Sequence, residues 1–279
     1  YADIDINAAL GGDPATGSST YASADIDHSS VIYITDSDGT ADSVGMTITG
    51  TTDIETDKYL TINLGVTDQA AETAAGTSLT FVFTGAVLGG GTLNVNGAQG
   101  VSGSAIAHVV DFASTVTLAA ANFTGGAGAD AGIGSALTLT DIAGASPITI
   151  LTIAGGVGST ADTNAGGLMT VTDIAGAMSG TTYNISGGAG SVSAYAGTAG
   201  AGGAMTLADH TGAISSITLN MTGGAGAAST ALNSGETGGA GGAVTITDTN
   251  GAITSTTVNI IGGAGGDGAA SGSASAVGG

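Results

Sequence analysis

The chain has 279 residues, with 22 acidic side chains against a single base, Lys58, and a formal net charge of −21. That balance argues against nucleic-acid or anionic-membrane binding, both of which need Lys and Arg to meet phosphate. The absence of cysteine rules out a disulfide scaffold and a thiol nucleophile, and no run of about 18 apolar residues exists to span a bilayer.

Residues 1–78 form an acidic, less regular region, holding thirteen of the 22 acids by residue 72. Alternation in Ala2-Asp-Ile-Asp-Ile-Asn7 has the period of a strand. Asp25-Ile-Asp27-His28 reads as a solvated strand edge. Ile34-Thr-Asp36 with Met46-Thr-Ile-Thr-Gly50 is a first degenerate copy of a repeat described below. Between its halves, Asp36-Ser-Asp38-Gly39-Thr-Ala-Asp42 sets alternate oxygens as at the start of a calcium loop, without the Glu that completes an EF-hand. Thr52-Asp53-Ile54 with Leu60-Thr-Ile-Asn63-Leu-Gly65 is a shortened copy, and only Asp68 to Gly76 looks briefly helical.

Residues 79–265 form the repeat array. Asp111, Asp141, Asp173, Asp209 and Asp248 each precede a glycine (Gly125, Gly155, Gly187, Gly223, Gly262) by 14 residues. From each glycine to the next Asp the distance instead grows: 16, 18, 22 and 25 residues. The constant half reads strand, corner, strand, as in Ala136-Leu-Thr-Leu-Thr-Asp141-Ile-Ala-Gly144 followed by Ile148-Thr-Ile-Leu-Thr-Ile-Ala-Gly155. Apolar residues alternate with Thr, and β-branched side chains favour extended backbone. At the corner, Asp can bond the backbone ahead while Gly supplies positive φ.

A parallel β-solenoid and a β-sandwich of hairpins both fit these strands. The fixed 14-residue spacing favours the solenoid, since sandwich hairpins have no reason to keep one length. With every spacer on one face, the growing lengths predict a cross-section that widens toward the C-terminus. Residues 266–279 read as a Gly/Ser/Ala-rich tail.

Asn94, Asn122, Asn184, Asn220 and Asn259 all stand three residues before a closing glycine. Asn122, Asn184 and Asn220 begin Asn-x-Ser/Thr sequons and are glycosylation candidates. Asn259 keeps the position without the sequon, which favours an asparagine ladder between stacked coils. The three histidines (His28, His108, His210) are too scattered for a metal or catalytic arrangement, and Asp209 and His210 would face opposite ways on a strand. Catalysis is not expected. Paired threonines such as Thr138/Thr140 and Thr170/Thr172 would suit an ice-binding face, though Ala208 interrupts the second column.

Gly125-Gly-Ala-Gly128-Ala-Asp130 and Gly262-Gly-Ala-Gly265-Gly-Asp267 resemble the opening of the Gly-Gly-x-Gly-x-Asp nonapeptide of RTX-type calcium β-rolls. In composition the chain resembles the Gly/Ala/Ser/Thr-rich surface-layer and RTX-like secreted proteins of bacteria. That resemblance implies a secreted, calcium-binding β-solenoid. Asp130 and Asp267 then join Asp36, Asp38 and Asp42 as candidate calcium ligands. A start at Tyr1 fits a trimmed leader or a partial chain. The expected function is a structural, self-associating extracellular protein of a surface layer, sheath or filament, whose partner is itself. An adhesin or fibre-tip domain recognising a cell-surface glycan through its Gly-rich spacers is the alternative.

Overall fold

The computed structural model describes residues 3–5, 18–21, 25–26, 29–34, 44–64, 78–97, 107–128, 132–159, 164–192, 198–229, 237–247 and 249–268. The briefly helical segment expected at Asp68 to Gly76 lies outside them. The protein is an all-β parallel solenoid, and every strand pairing among the described residues is parallel.

Two sheets run the length of the stack. The first has nine strands, in spatial order β1 (Asp3–Asp5), β4 (Ser30–Ile34), β7 (Tyr59–Leu64), β10 (Thr92–Asn96), β12 (Leu118–Thr124), β14 (Ser146–Ala154), β16 (Met178–Ser186), β18 (Ile214–Thr222) and β20 (Ile253–Ile261). The second has eight: β2 (Ser18–Tyr21), β5 (Val44–Ile48), β8 (Ser78–Phe83), β11 (Ala107–Phe112), β13 (Ala136–Thr140), β15 (Met169–Val171), β17 (Met205–Leu207) and β19 (Val244–Ile246). A third, short sheet of β3 (Asp25–Ile26), β6 (Thr52–Ile54) and β9 (Val87–Leu88) sits at the corner of the early coils alone. Both long sheets continue across residue 78.

Alternation places one face of each strand inside. In the first sheet Leu93, Ala121, Leu151, Tyr183 and Leu219 form one buried column, and Val95, Phe123, Ile153, Ile185 and Met221 the next. Met169, Met205, Val171 and Leu207 face them from the second sheet. The four phenylalanines cluster in the middle coils: Phe83 stacks on Phe112 with centroids 5.0 Å apart, and Phe81 and Phe123 meet this pair edge-on. Aromatic pairs in such geometry add about 0.5–1.5 kcal/mol beyond their buried area.

The glycine-rich half is as ordered by backbone contact as the strands. Its outgoing and returning arms pair with the next coil at every third residue: Gly155 N donates to Ser186 O, Gly158 N to Ala189 O, and Gly223, Gly226 and Ser229 N to Ile261, Ala264 and Asp267 O. The next residue, as at Gly156, Ser159, Gly224 and Ala227, bonds instead across the interior, between arms. One zigzag of these cross-bonds passes through Gly126, Ser135, Gly156, Gly167, Gly188, Gly203, Gly224, Gly242 and Gly263, with N···O distances of 2.6–3.0 Å. A second, three residues further out, passes through Asn164, Ser191, Gly200, Ala227, Gly239 and Gly266. A three-residue period is that of polyproline-II backbone, which has no internal hydrogen bonds and must find partners in neighbouring chains. Two residues in three thus face backbone and the third faces out, which is why the motif runs Gly-Gly-x-Gly. A methyl on Gly156, Gly188, Gly224 or Gly263 would collide with the carbonyl oxygen of the coil below.

Candidate functional site: the aspartate corners and the asparagine ladder

The three corner residues Asp141, Asp173 and Asp209 stack. Their spacings of 32 and 36 residues equal those of the strands on either side, Leu137↔Met169↔Met205 and Ser146↔Met178↔Ile214. All three are exposed and adopt left-handed backbone, with φ of 59°, 54° and 49°. Aspartate tolerates this conformation better than most residues because its short side chain can bond locally. The sequence expectation assigned positive φ to the corner glycine, and that is corrected here. Gly144, Gly176 and Gly212 do not have positive φ; they are glycine because a Cβ on Gly176 or Gly212 would strike the carbonyl of the glycine beneath it.

Asp111 also departs from expectation. Its 14-residue distance to Gly125 matched the others, yet it lies within β11 opposite Thr140, one position before the corner column. The second sheet steps 29 residues here (Asp111↔Thr140) and the first 30 (Leu118↔Ile148), so the next corner gains a residue. Asp111 is half-buried, with Oδ1 enclosed and without a hydrogen-bond partner. Burial, and secondarily the charge of Asp141, lift its carboxyl above the usual 3.8.

Asp141, Asp173 and Asp209 line an open groove of about 320 Å³ with Ala175, Thr211 and Asn250. Thr140 Oγ1 donates to Asp173 Oδ2 at 3.3 Å and Thr172 Oγ1 to Asp209 Oδ2 at 3.4 Å, so these two carboxylates are bonded from the coil below. Like charges one strand spacing apart, about 4.8 Å, repel by roughly 1 kcal/mol in water. The column is therefore a strip of negative potential. Among the described residues, no three His, Asp or Glu side chains converge on a point that could hold a metal ion.

The corner also explains the histidine. His210 takes the inward position held by Ile142 and Ile174 in earlier coils, and like them it is buried. Its Nδ1 lies 3.3 Å from Gly212 O, while Nε2 has no partner. Asp209 faces out and His210 in, although both lie at the corner beyond β17 and not in a strand.

The asparagines form the expected ladder. The column runs Thr61, Asn94, Asn122, Thr152, Asn184, Asn220, Asn259 through successive strands of the first sheet. Asn122 Nδ2 donates to Asn94 Oδ1 at 2.9 Å, Asn220 Nδ2 to Asn184 Oδ1 at 2.7 Å, and Asn259 Nδ2 to Asn220 Oδ1 at 2.8 Å. Each upper amide donates to the lower one, so the ladder has a direction. Of the sequon residues, Asn122, Asn184 and Asn220 are half-buried, and Asn122 and Asn220 use in the ladder the same nitrogen that a glycan would take.

Of the five calcium candidates, only Asp267 falls among the described residues. Asp36, Asp38, Asp42 and Asp130 lie outside the described residues. Asp267 is exposed on the last outgoing arm, where its main-chain oxygen accepts from Ser229 N at 2.9 Å. Four glycines of the two RTX-like segments are occupied in arm packing: a Cβ on Gly125, Gly128, Gly263 or Gly266 would meet neighbouring backbone.

Fold and columns together define a laddered β-solenoid whose regular surfaces are built from stacked like residues. No family model, no curated protein and no solved structure matches the chain.

Proposed function

We propose that the protein is a structural, self-associating component of an extracellular surface layer, sheath or filament, with calcium screening or bridging its carboxylates. The support is the state of the last coil. Val258 and Ile260 continue the inward columns of Leu219 and Met221, which are 1% and 0% exposed, yet they are themselves 43% and 52% exposed. Beneath them Val244, Ile246 and Ile253 only partly close the core. A strand whose apolar columns stand open is a template for another chain. The resemblance to surface-layer and RTX-like proteins, the excess of carboxylates and the aspartate strip supply the extracellular and calcium parts of this proposal.

Negative-stain microscopy and light scattering of the purified chain, with and without Ca²⁺, test it. Ordered oligomers, filaments or sheets are expected. A monodisperse monomer under both conditions would reject self-association. Calorimetric titration without Ca²⁺ uptake, together with melting unchanged by EDTA, would remove the calcium part alone.

A further inference from the structure

Resting on the self-association proposed above, we infer that two copies of this chain dock side by side through the outer face of the first sheet. Their two-fold axis runs along β16, so the coil order of one copy is reversed against the other.

Charge singles out this face. β10, β12, β14, β16, β18 and β20 contain no acidic or basic residue. The second sheet holds Asp111 in β11, and Asp141, Asp173 and Asp209 follow β13, β15 and β17 within two residues. Each copy carries −21, and a carboxylate pressed against another copy loses water with no cation to replace it. Of the two long sheets, the first alone offers a broad contact free of that cost.

The same face holds apolar side chains with nothing over them. Near mid-strand, β14, β16 and β18 each turn two successive residues outward: Thr149-Ile150, Thr181-Thr182 and Ile217-Thr218. Ile150 is 45% exposed and Ile217 57%. Ile150 shares a column with Thr182 and Thr218, so Ile217 lies two coils on and one column across. Reversing the coil order about β16 lays β14 of one copy over β18 of the other. Ile150 then meets Ile217 of the second copy, and the symmetry makes this isologous contact twice, with Thr181 facing its own counterpart at the centre. The amides beside them are already bonded: Asn220 donates to Asn184 and accepts from Asn259. A paired polar group loses little when water leaves. Strands β12 to β20 of this sheet cover about 24 Å by about 30 Å, close to the ~800 Å² per partner of a stable interface. A neutral glycan is the other occupant that suits an uncharged face. Sugar rings stack on aromatic side chains, and the two aromatics in these six strands, Phe123 and Tyr183, are buried.

Because the chain has no cysteine, single introduced thiols report the geometry. With a short bismaleimide, Thr181→Cys should form a covalent dimer roughly tenfold faster than Thr138→Cys on the second sheet, since docking holds the second thiol at high effective concentration. Ile217→Asp should reduce the light-scattering mass to about half, as loss of a two-fold contact requires. Leu168→Asp, at a side chain 56% exposed just before β15, should leave the mass at the wild-type value. Both side chains are more than half exposed, so the circular-dichroism spectra should not change. A wild-type chain that is monomeric at tens of micromolar overturns both this inference and the self-association it rests on, and retention of that monomer on cellulose, lost in Ile217→Asp, would assign the face to a glycan instead. A wild-type chain that associates, while Ile217→Asp keeps its mass or Thr181→Cys cross-links no faster than Thr138→Cys, overturns the side-by-side contact alone and leaves self-association standing.

Discussion

Replacing Gly188 with alanine distinguishes a glycine-rich half held by backbone contact from one that is merely loop. In an unstrained loop, Gly→Ala stabilises by about 0.4–1 kcal/mol, because it restricts the unfolded chain. At Gly188 the added methyl collides with the carbonyl oxygen of Gly156, so the arm must shift. Gly188 N donates to Gly167 O at 2.9 Å, and Gly188 O accepts from Gly203 N at 2.7 Å. Losing two such bonds costs about 1–3 kcal/mol, and leaving one of the groups buried without a partner adds about 1–3 more. The expected destabilisation is therefore about 2–6 kcal/mol, opposite in sign to the usual effect. Gly262→Ala is the matched control, since its nearest heavy atom, Gly242 O, lies 3.9 Å from the new Cβ. It should be neutral or slightly stabilising. Urea unfolding followed by circular dichroism reads both, and amide exchange at Gly188 and Gly203 localises the loss. A Gly188→Ala midpoint at or above wild type would refute the packed-arm account.

Tyr183 is fully buried in a column of aliphatic side chains, and its hydroxyl has no hydrogen-bond partner. Tyr183→Phe should therefore raise stability by about 1–3 kcal/mol in urea unfolding, by removing an unpaired buried group. Asn220→Ala removes two ladder bonds, one to Asn184 and one from Asn259, and should cost about 1–3 kcal/mol by the same measurement. Asp111 has a folded-state pKa raised by burial and by Asp141, so its ionisation opposes folding. The penalty is fully present above the raised value, falls as pH drops through it, and vanishes below the ordinary 3.8. Asp111→Asn should accordingly raise the unfolding midpoint at pH 7 and have little effect at pH 3, and an equal effect at both would contradict this.

Much of this architecture was legible because stacking makes equivalent residues recur at equal distances. The 14-residue interval located the corners of Asp141, Asp173 and Asp209, and Asn259, which keeps its place while losing the sequon, pointed to the ladder. Counting along the chain cannot detect a one-residue shift between sheets, and so Asp111 passed for a corner residue. Nor does spacing reveal which of two turn-forming residues takes the left-handed conformation. The short third sheet involves only two or three residues per coil, too few for an alternation to register. The glycine arms were hardest to see. Their order lies in main-chain hydrogen bonds with a period of three, and without side chains that period leaves no hydrophobic trace. The Gly-Gly-x-Gly pattern was visible, but the physical demand behind it, close approach of backbones, resembles in sequence the demand of a calcium-binding turn.

The lengthening of the spacers can now be placed. Along each outgoing arm the two cross-bonded positions are three residues apart, as in Gly188 and Ser191 or Gly224 and Ala227, and along each returning arm likewise, as in Gly200 and Gly203 or Gly239 and Gly242. What varies is the chain beyond the second of these. The step from Ser159 to Asn164 is 5 residues, from Ser191 to Gly200 it is 9, and from Ala227 to Gly239 it is 12. Further from the strands, Ala199 N donates to Thr237 O and Ser229 N to Asp267 O. The added length therefore falls beyond the second cross-bond of each coil, while the described base of every coil stays in register. Insertions and deletions at the tips leave the two sheets, the corners and the ladder where they are.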